Sequence, residues 1–291
     1  MGEGSGSMAF IDQQDGFEWK RASEAFPNAT LFGAEGINPE DLSQNFMSNN
    51  WFVSAFAALS EFPERIEKMF LNNRNEASPN GIYGFNLFTF GFPQTILVDD
   101  YLPLLQKGDG SLTTLYADMS NFDGALWAPI VEKVFAKRYG NYEHVVAGLP
   151  SEAIKALTGA PLIMYEHKDF DVDAMWQLLS MHEEEDDFVV AGTENGDENK
   201  RSLSGLPKGH AYLVLGTFKL DNGKRLVKIR NPWGAEGFSG AFTGTNIDGK
   251  DKDGIFYADI ETYTEQFSET WISLDPAKMS SAKFMKLNDE S

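Results

Sequence analysis

Residues 208–234, KGHAYLVLGTFKLDNGKRLVKIRNPWG, read as two extended runs joined at Asn222-Gly223. Alternation of apolar and polar residues marks strands, and Asn-Gly between them signals a hairpin because both residues tolerate positive φ. The turn carries Arg230 and Asn231 back toward the start of the first run. A two-residue loop would set Asn231 opposite Val214, with His210 four residues earlier on the same face. In a flat ladder that is roughly 13 Å. Contact between His210 and Asn231 therefore requires a bulge, a longer loop or strong twist. By themselves, a His and an Asn flanking a hairpin are more often structural than functional.

Outward from this hairpin, FVVAGT at 188–193, GIFYADI at 254–260 and TWISL at 270–274 are further β-branched or alternating runs, which makes the C-terminal part mainly antiparallel sheet. Upstream the texture is helical. At 48–62, Phe52, Ala55, Phe56 and Leu59 fall at i, i+3, i+4 and i+7, and Ser48 or Asn49 can cap the first turn. At 125–138, Leu126, Ile130, Val131, Val134 and Phe135 share one side, with Pro129 admissible only in the first turn. A third helix is expected at 172–181. The runs IYGFNLFTF and QTILVDDYLPLL, parted by Gly91 and Pro93, suit a hairpin or edge pair. The fold class is α+β, with a helical first lobe and a sheet-rich second. The composition shifts at 159–161, so the expected units are a tag-like tail 1–16, a helical lobe 17–158, a β-rich lobe 159–276 and a tail or linker 277–291.

The 291 residues are 42% hydrophobic and 23% charged, a globular composition near the size limit of a single core. No run approaches the roughly 18 apolar residues of a membrane span, and MGEGSGS at the start reads as an initiator or tag scar, not a signal peptide. A net charge of −20 repels phosphate backbones and anionic lipid heads, and favours cations and basic proteins as partners. The chain has no cysteine, which excludes disulfides, thiolate zinc sites and a cysteine nucleophile. The five acids at 183–187 read as a solvated, mobile connection. Asp248–Gly254 looks like a calcium loop but places Ile260 where an EF-hand needs its bidentate Glu. His144, His167 and His182 lack motifs and are assigned to surface or packing.

Gly209-His210-Ala211-Tyr212 with Ile229-Arg230-Asn231-Pro232-Trp233-Gly234 resembles the catalytic His and Asn blocks of the calpain-type, papain-like cysteine proteases. Trp19-Lys20-Arg21, Leu126-Trp127 with the helix Glu132-Lys133-Val134-Phe135-Ala136-Lys137, Asn141-Tyr142-Glu143 and Thr158-Gly159 resemble further calpain blocks in the same order, so the likeness covers about 17–276. It implies a two-lobed papain-like core. It also implies roles: His210 as base and acid, Asn231 orienting its ring, Gln44 in the oxyanion hole and Trp233 shielding the pair. The nucleophile block departs. Where calpains carry Gly-Asp-Cys-Trp, this chain has Ser48-Asn49-Asn50-Trp51. The amide of Asn50 is conjugated and does not ionise near neutrality, so His210 has no useful proton to remove. Ser48 lies two residues from the required geometry. The altered neighbours point to a drifted natural site and not to an engineered knockout.

The resemblance further implies one calcium ion per lobe. Gly36 and Asp41 remain in the first site, but Ala125 stands at its acidic position; of the second, Asp253 remains, while Gly237, Gly244 and Ile255 stand where acids are expected. Asp248 and Asp251 are nearby acids that would compensate under a shifted alignment. A cation needing six to eight oxygens is under-coordinated by such remnants, so no cofactor is required and calcium binding is expected to be weak or absent. The expected function is a catalytically silent calpain-like module that binds or scaffolds a protein or extended peptide, within a cleft lined by Trp51, Trp233, His210 and Gln44. The resemblance associates such modules with the cytoplasm and cytoskeleton, without nucleic acid or membrane insertion. The alternative is an active calcium-dependent endopeptidase represented here by a nucleophile-substituted variant.

Overall fold

The computed structural model describes residues 17–37, 42–44, 50–60, 62–72, 74–114, 117–119, 124–145, 148–184, 187–197, 199–232 and 254–273. The first part opens with β1 (Phe17–Arg21), α1 (Ala22–Ala25), β2 (Leu42–Gln44), α2 (Asn50–Ser60) and α3 (Pro63–Met69). It continues through β3 (Ile82–Thr89), β4 (Phe92–Asp99), β5 (Tyr101–Gln106), β6 (Leu112–Thr114) and β7 (Ala117–Met119) to α4 (Trp127–Tyr139) and α5 (Pro150–Thr158). The second part holds β8 (Leu162–Glu166), α6 (Val172–Glu184), β9 (Phe188–Thr193), β10 (Ala211–Lys219) and β11 (Arg225–Arg230). It closes with β12 (Ile255–Asp259), α7 (Ile260–Gln266) and β13 (Phe267–Ser273). Helices and antiparallel sheets coexist, an α+β fold.

The five strand runs read in the second half all appear, in one sheet of order β12-β11-β10-β9-β13-β8 whose neighbours pair antiparallel. Successive side chains on a strand point to opposite faces, and both faces of this sheet are covered. Phe188, Val190, Ala211 and Leu213 join the core of the first half, whereas Val189, Ala191, Tyr212 and Val214 join Met175, Leu179, Ile260 and Tyr263 of α6 and α7. Burial on two faces explains why FVV and YLVL are unbroken apolar runs.

The helix expected at 48–62 is α2, and its Trp51–Ser60 stretch is buried on all sides, Ser54 and Ser60 included. An amphipathic helix would keep a wet face; this one lies between α4 and the sheet. Phe52 and Phe56 contact Phe135 and Trp127 of α4, with ring centroids 4.6 and 4.9 Å apart, and on another side Ser54 Oγ donates to the Ala211 carbonyl at 2.9 Å. Pro129 falls in the first turn of α4 as its chemistry demands. The IYGFNLFTF run pairs with QTILVD as β3–β4. The remainder, YLPLLQ, turns away at Asp100 to pair with β1, whose Arg21 donates to Asp100 at 2.6 Å.

At the two ends of the acidic stretch, Glu183 and Asp187 are bonded to the fold, while residues 185 and 186 lie outside the described residues. Glu183 accepts from the Thr217 amide at 2.9 Å and from its hydroxyl, and Asp187 Oδ2 lies 2.7 Å from His182 Nδ1 with both side chains nearly enclosed. His182 and His167 are packing residues and His144 is at the surface. Between β13 and α7, His167 Nδ1 faces the Thr264 carbonyl and Nε2 faces Thr270 Oγ1 at 2.7 Å. The Tyr263 hydroxyl shares that Thr270 oxygen, and burial pushes its pKa up. Burial lowers the pKa of His167 to about 4. Its neutral form is the folded form, so its contribution is full above the unfolded value near 6.5 and fades as pH falls from there toward 4. The shift corresponds to on the order of 3 kcal/mol. Denaturant melts of the wild type should lose about that much between pH 7 and 4 through this group, and His167→Gln should flatten that part of the profile.

Candidate active site

His210 and Asn231 sit at the open ends of β10 and β11, and two local features bring them together. The loop is three residues, Asp221–Gly223, closed by the Leu220 amide donating to the Lys224 carbonyl at 2.8 Å, with Gly223 at φ +84°. The ladder then runs from Lys219↔Arg225 to Gly216↔Lys228, skips Leu215, and resumes as Val214↔Ile229 and Leu213↔Arg230. The longer loop shifts the register by one residue and the bulge by another. Continuing it places Asn231 opposite Tyr212 in place of Val214. The separation along the strand falls from four residues to two, about 7 Å, which the two side chains span. His210 Nε2 lies 2.9 Å from Asn231 Oδ1, and the residues are 2% and 1% exposed.

An amide oxygen only accepts, so Nε2 carries the proton in this bond and the neutral ring presents its acceptor at Nδ1. The ring is held from other directions too. Tyr212 packs edge-on against it, centroids 4.7 Å apart at 87°. Thr193 clamps its backbone: the His210 amide donates to Thr193 Oγ1 and the Thr193 amide donates to the His210 carbonyl, both at 3.0 Å. The Thr193 hydroxyl in turn donates to the Pro207 carbonyl at 2.7 Å. Gly209 has φ +62°, and a Cβ there would stand 2.5 Å from the Gly196 carbonyl oxygen. Thr193 and Ser54 escaped the sequence reading because their partners are 17 and 157 positions away and nothing local marks them.

Asn50 is the first residue of α2. Ser54 lies one turn further in, and its bond to the Ala211 carbonyl ties the N-terminal turns of that buried helix to the residue after His210. The helix dipole at such an end stabilises negative charge. Gln44 lies on β2, paired with Ala117. Trp51 does not line a cleft. Its ring is 3% exposed, it packs on Tyr139 and Phe52, and its Nε1 donates to the Val145 carbonyl at 2.9 Å. Trp233 lies outside the described residues, as do Asp41, Asp248, Asp251 and Asp253.

Of the positions that the resemblance assigns to calcium, Gly36, Ala125 and Ile255 are among the described residues. Gly36 has φ +87°, but Ala125 is a fully buried methyl bridged in parallel to Thr30. Ile255 pairs with Arg230 inside the sheet and is 7% exposed. Among the described residues no group of three His, Asp or Glu side chains is placed to hold a metal ion, and no helix is long and apolar enough to cross a membrane.

A helix N-terminus joined to a buried His–Asn pair on an antiparallel sheet is the framework of a papain-like cysteine protease. The profile of the calpain family cysteine proteases matches residues 5–274; the chain belongs to that family. It is 29% identical to mouse calpain-12 over 287 residues, 91% of this chain and 38% of that protein. It is 30% identical to human calpain-12 over 240 residues, 80% of this chain and 32% of that protein. To the calpain-type cysteine protease DEK1 of Zea mays it is 30% identical over 230 residues, 75% of this chain and 10% of that protein. The chain thus spans well under half the length of these relatives.

Proposed function

We propose that this chain is a calpain-type protease domain that has lost peptide hydrolysis and retained the framework as a binding or scaffolding module for an extended protein segment. One observation carries the reading. The His210–Asn231 pair is buried and bonded at 2.9 Å, yet the residue at the head of α2 is Asn50 and the chain has no cysteine to take its place. The pair can orient and exchange a proton, but acyl transfer needs a nucleophile whose proton His210 removes. An amide is not one. A peptide lying extended against such a framework would gain strand-type hydrogen bonds without being cut. The acidic surface favours basic protein partners, and a cytoplasmic, cytoskeleton-associated role follows from the family likeness alone.

The test is peptide hydrolysis by the purified chain beside immobilised-peptide binding. Binding without turnover supports the module; turnover that disappears in His210→Ala would sink it. Calcium is proposed to bind weakly or not at all, given Ala125 and Ile255 at acidic positions. With a dissociation constant above about 1 mM, adding 1 mM calcium should raise unfolding free energy by less than about 0.4 kcal/mol. A larger stabilisation in thermal or denaturant melts would show an intact site.

A further inference from the structure

We propose that a crevice at the foot of α2, against the β10 bulge, is a binding site for a small amphipathic cation, an ammonium group on an aromatic or alkyl body. Its volume is about 280 Å³, nearly twice the roughly 150 Å³ that accommodates benzene in an engineered core. Ala58, Phe62, Leu179, Phe188, Val189 and Leu215 supply an apolar lining. Phe62 and Phe188 meet edge to face at 5.1 Å, and Arg65, not itself among the described lining residues, lays its guanidinium over both rings and holds them in place. Such a lining takes up the body of a ligand without reorganising.

The polar groups of the crevice are carboxylates. Glu183 and Asp187 are the charged residues among its described lining, and no Lys, Arg or His is among them. Both are fixed in advance: Glu183 Oε2 by the Thr217 amide and hydroxyl, Asp187 Oδ2 by His182. The other oxygen of Glu183, Oε1, has no hydrogen bond among the described residues and lies against Gly216. A Cβ at 216 would stand 2.7 Å from it, and the backbone there has φ +156°. Glycine at this position thus lets the Glu183 carboxylate settle against the β10 bulge, where a side chain would displace it. A pre-oriented anion over an apolar floor selects an ammonium over a neutral or anionic group of the same shape.

The crevice is also joined to the His–Asn pair. Leu213, Val214, Leu215, Gly216 and Thr217 form one wall, and the skip at Leu215 is the same irregularity that sets Asn231 within reach of His210. Occupancy that pins this bulge pins the register of the pair. The site does not depend on whether the domain hydrolyses peptides.

The probe is 2-phenylethylammonium, titrated into the whole chain and followed by methyl resonances, with 2-phenylethanol and 3-phenylpropanoate as isosteres. Saturating shifts are expected at Leu179, Val189, Val214 and Leu215, with the ammonium preferred. Glu183→Gln, at an exposed position, should weaken binding about tenfold, the equivalent of one charge-assisted hydrogen bond. Leu215→Trp should abolish it by filling the crevice with Glu183 intact. The His210 ring resonances should move at saturation. Equal affinity for the three isosteres, an unchanged affinity in Glu183→Gln, or no methyl shifts at about 20 mM probe would each overturn the site; a stationary His210 ring in the bound state would overturn its link to the pair.

Discussion

Asn50→Cys should give the chain peptidase activity, with turnover on the order of 10³-fold or more above that of the unsubstituted chain and abolished again by His210→Ala. The expectation rests on what is already in place. A thiolate at residue 50 would sit at the positive end of an eleven-residue helix. His210 is oriented by Asn231 through Nε2, so the ring nitrogen that accepts a proton is Nδ1. The bond from Ser54 to the Ala211 carbonyl joins these two parts without a ligand. Hydrolysis assays on Asn50→Cys, Asn50→Cys/His210→Ala and Asn50→Cys/Asn231→Ala separate the contributions. Activity in the first alone shows a retained framework. Silence in all three, with folded proteins by circular dichroism, would mean that the oxyanion side has drifted as well as the nucleophile.

Gly209→Ala should be among the most damaging single methyl additions in the chain. A non-glycine residue held in the left-handed region costs roughly 1–2 kcal/mol, and forcing a methyl against packed backbone adds about 1–3 kcal/mol. Both apply, since φ is +62° and the Cβ would meet the Gly196 carbonyl oxygen at 2.5 Å. That oxygen belongs to backbone and cannot swing aside as a side chain would. Relief requires the 194–209 loop to move, breaking the Gly209 amide bond to the Glu194 carbonyl and displacing His210 next to it. The expected outcome is a loss of several kcal/mol in denaturant melts, and in the Asn50→Cys background a fall in kcat well beyond the fall in stability. A near-neutral substitution would show that this loop adapts freely and does not position the pair.

Much of this was readable from residue types. Strand alternation and unbroken apolar runs foretold five of the six strands of the larger sheet, Pro129 foretold where α4 begins, and the ordered motifs around His210, Asn231 and Trp127 foretold the family. Short elements such as β2, β6 and β7, and the strand β8, have too few residues for a periodic signal. The burial of α2 on every side was hidden because Ser54 and Ser60 look like a polar face until Ser54 is seen donating to a carbonyl 157 positions away. Glu183 and Asp187 looked solvated because a run of like charge shows nothing of Thr217 or His182 folding against its ends.

The amino-acid sequence by itself determined what this protein lacks and what it is made of: no cysteine anywhere, an amide at the head of the nucleophile helix, an Asn-Gly hairpin and a family framework. Those are matters of residue identity and local pattern. Whether His210 meets Asn231 was decided only in three dimensions. A three-residue loop and one skipped residue at Leu215 together slid Asn231 two places along the ladder. A bulge is chosen by the packing on both faces of a sheet, which no window of sequence around it contains.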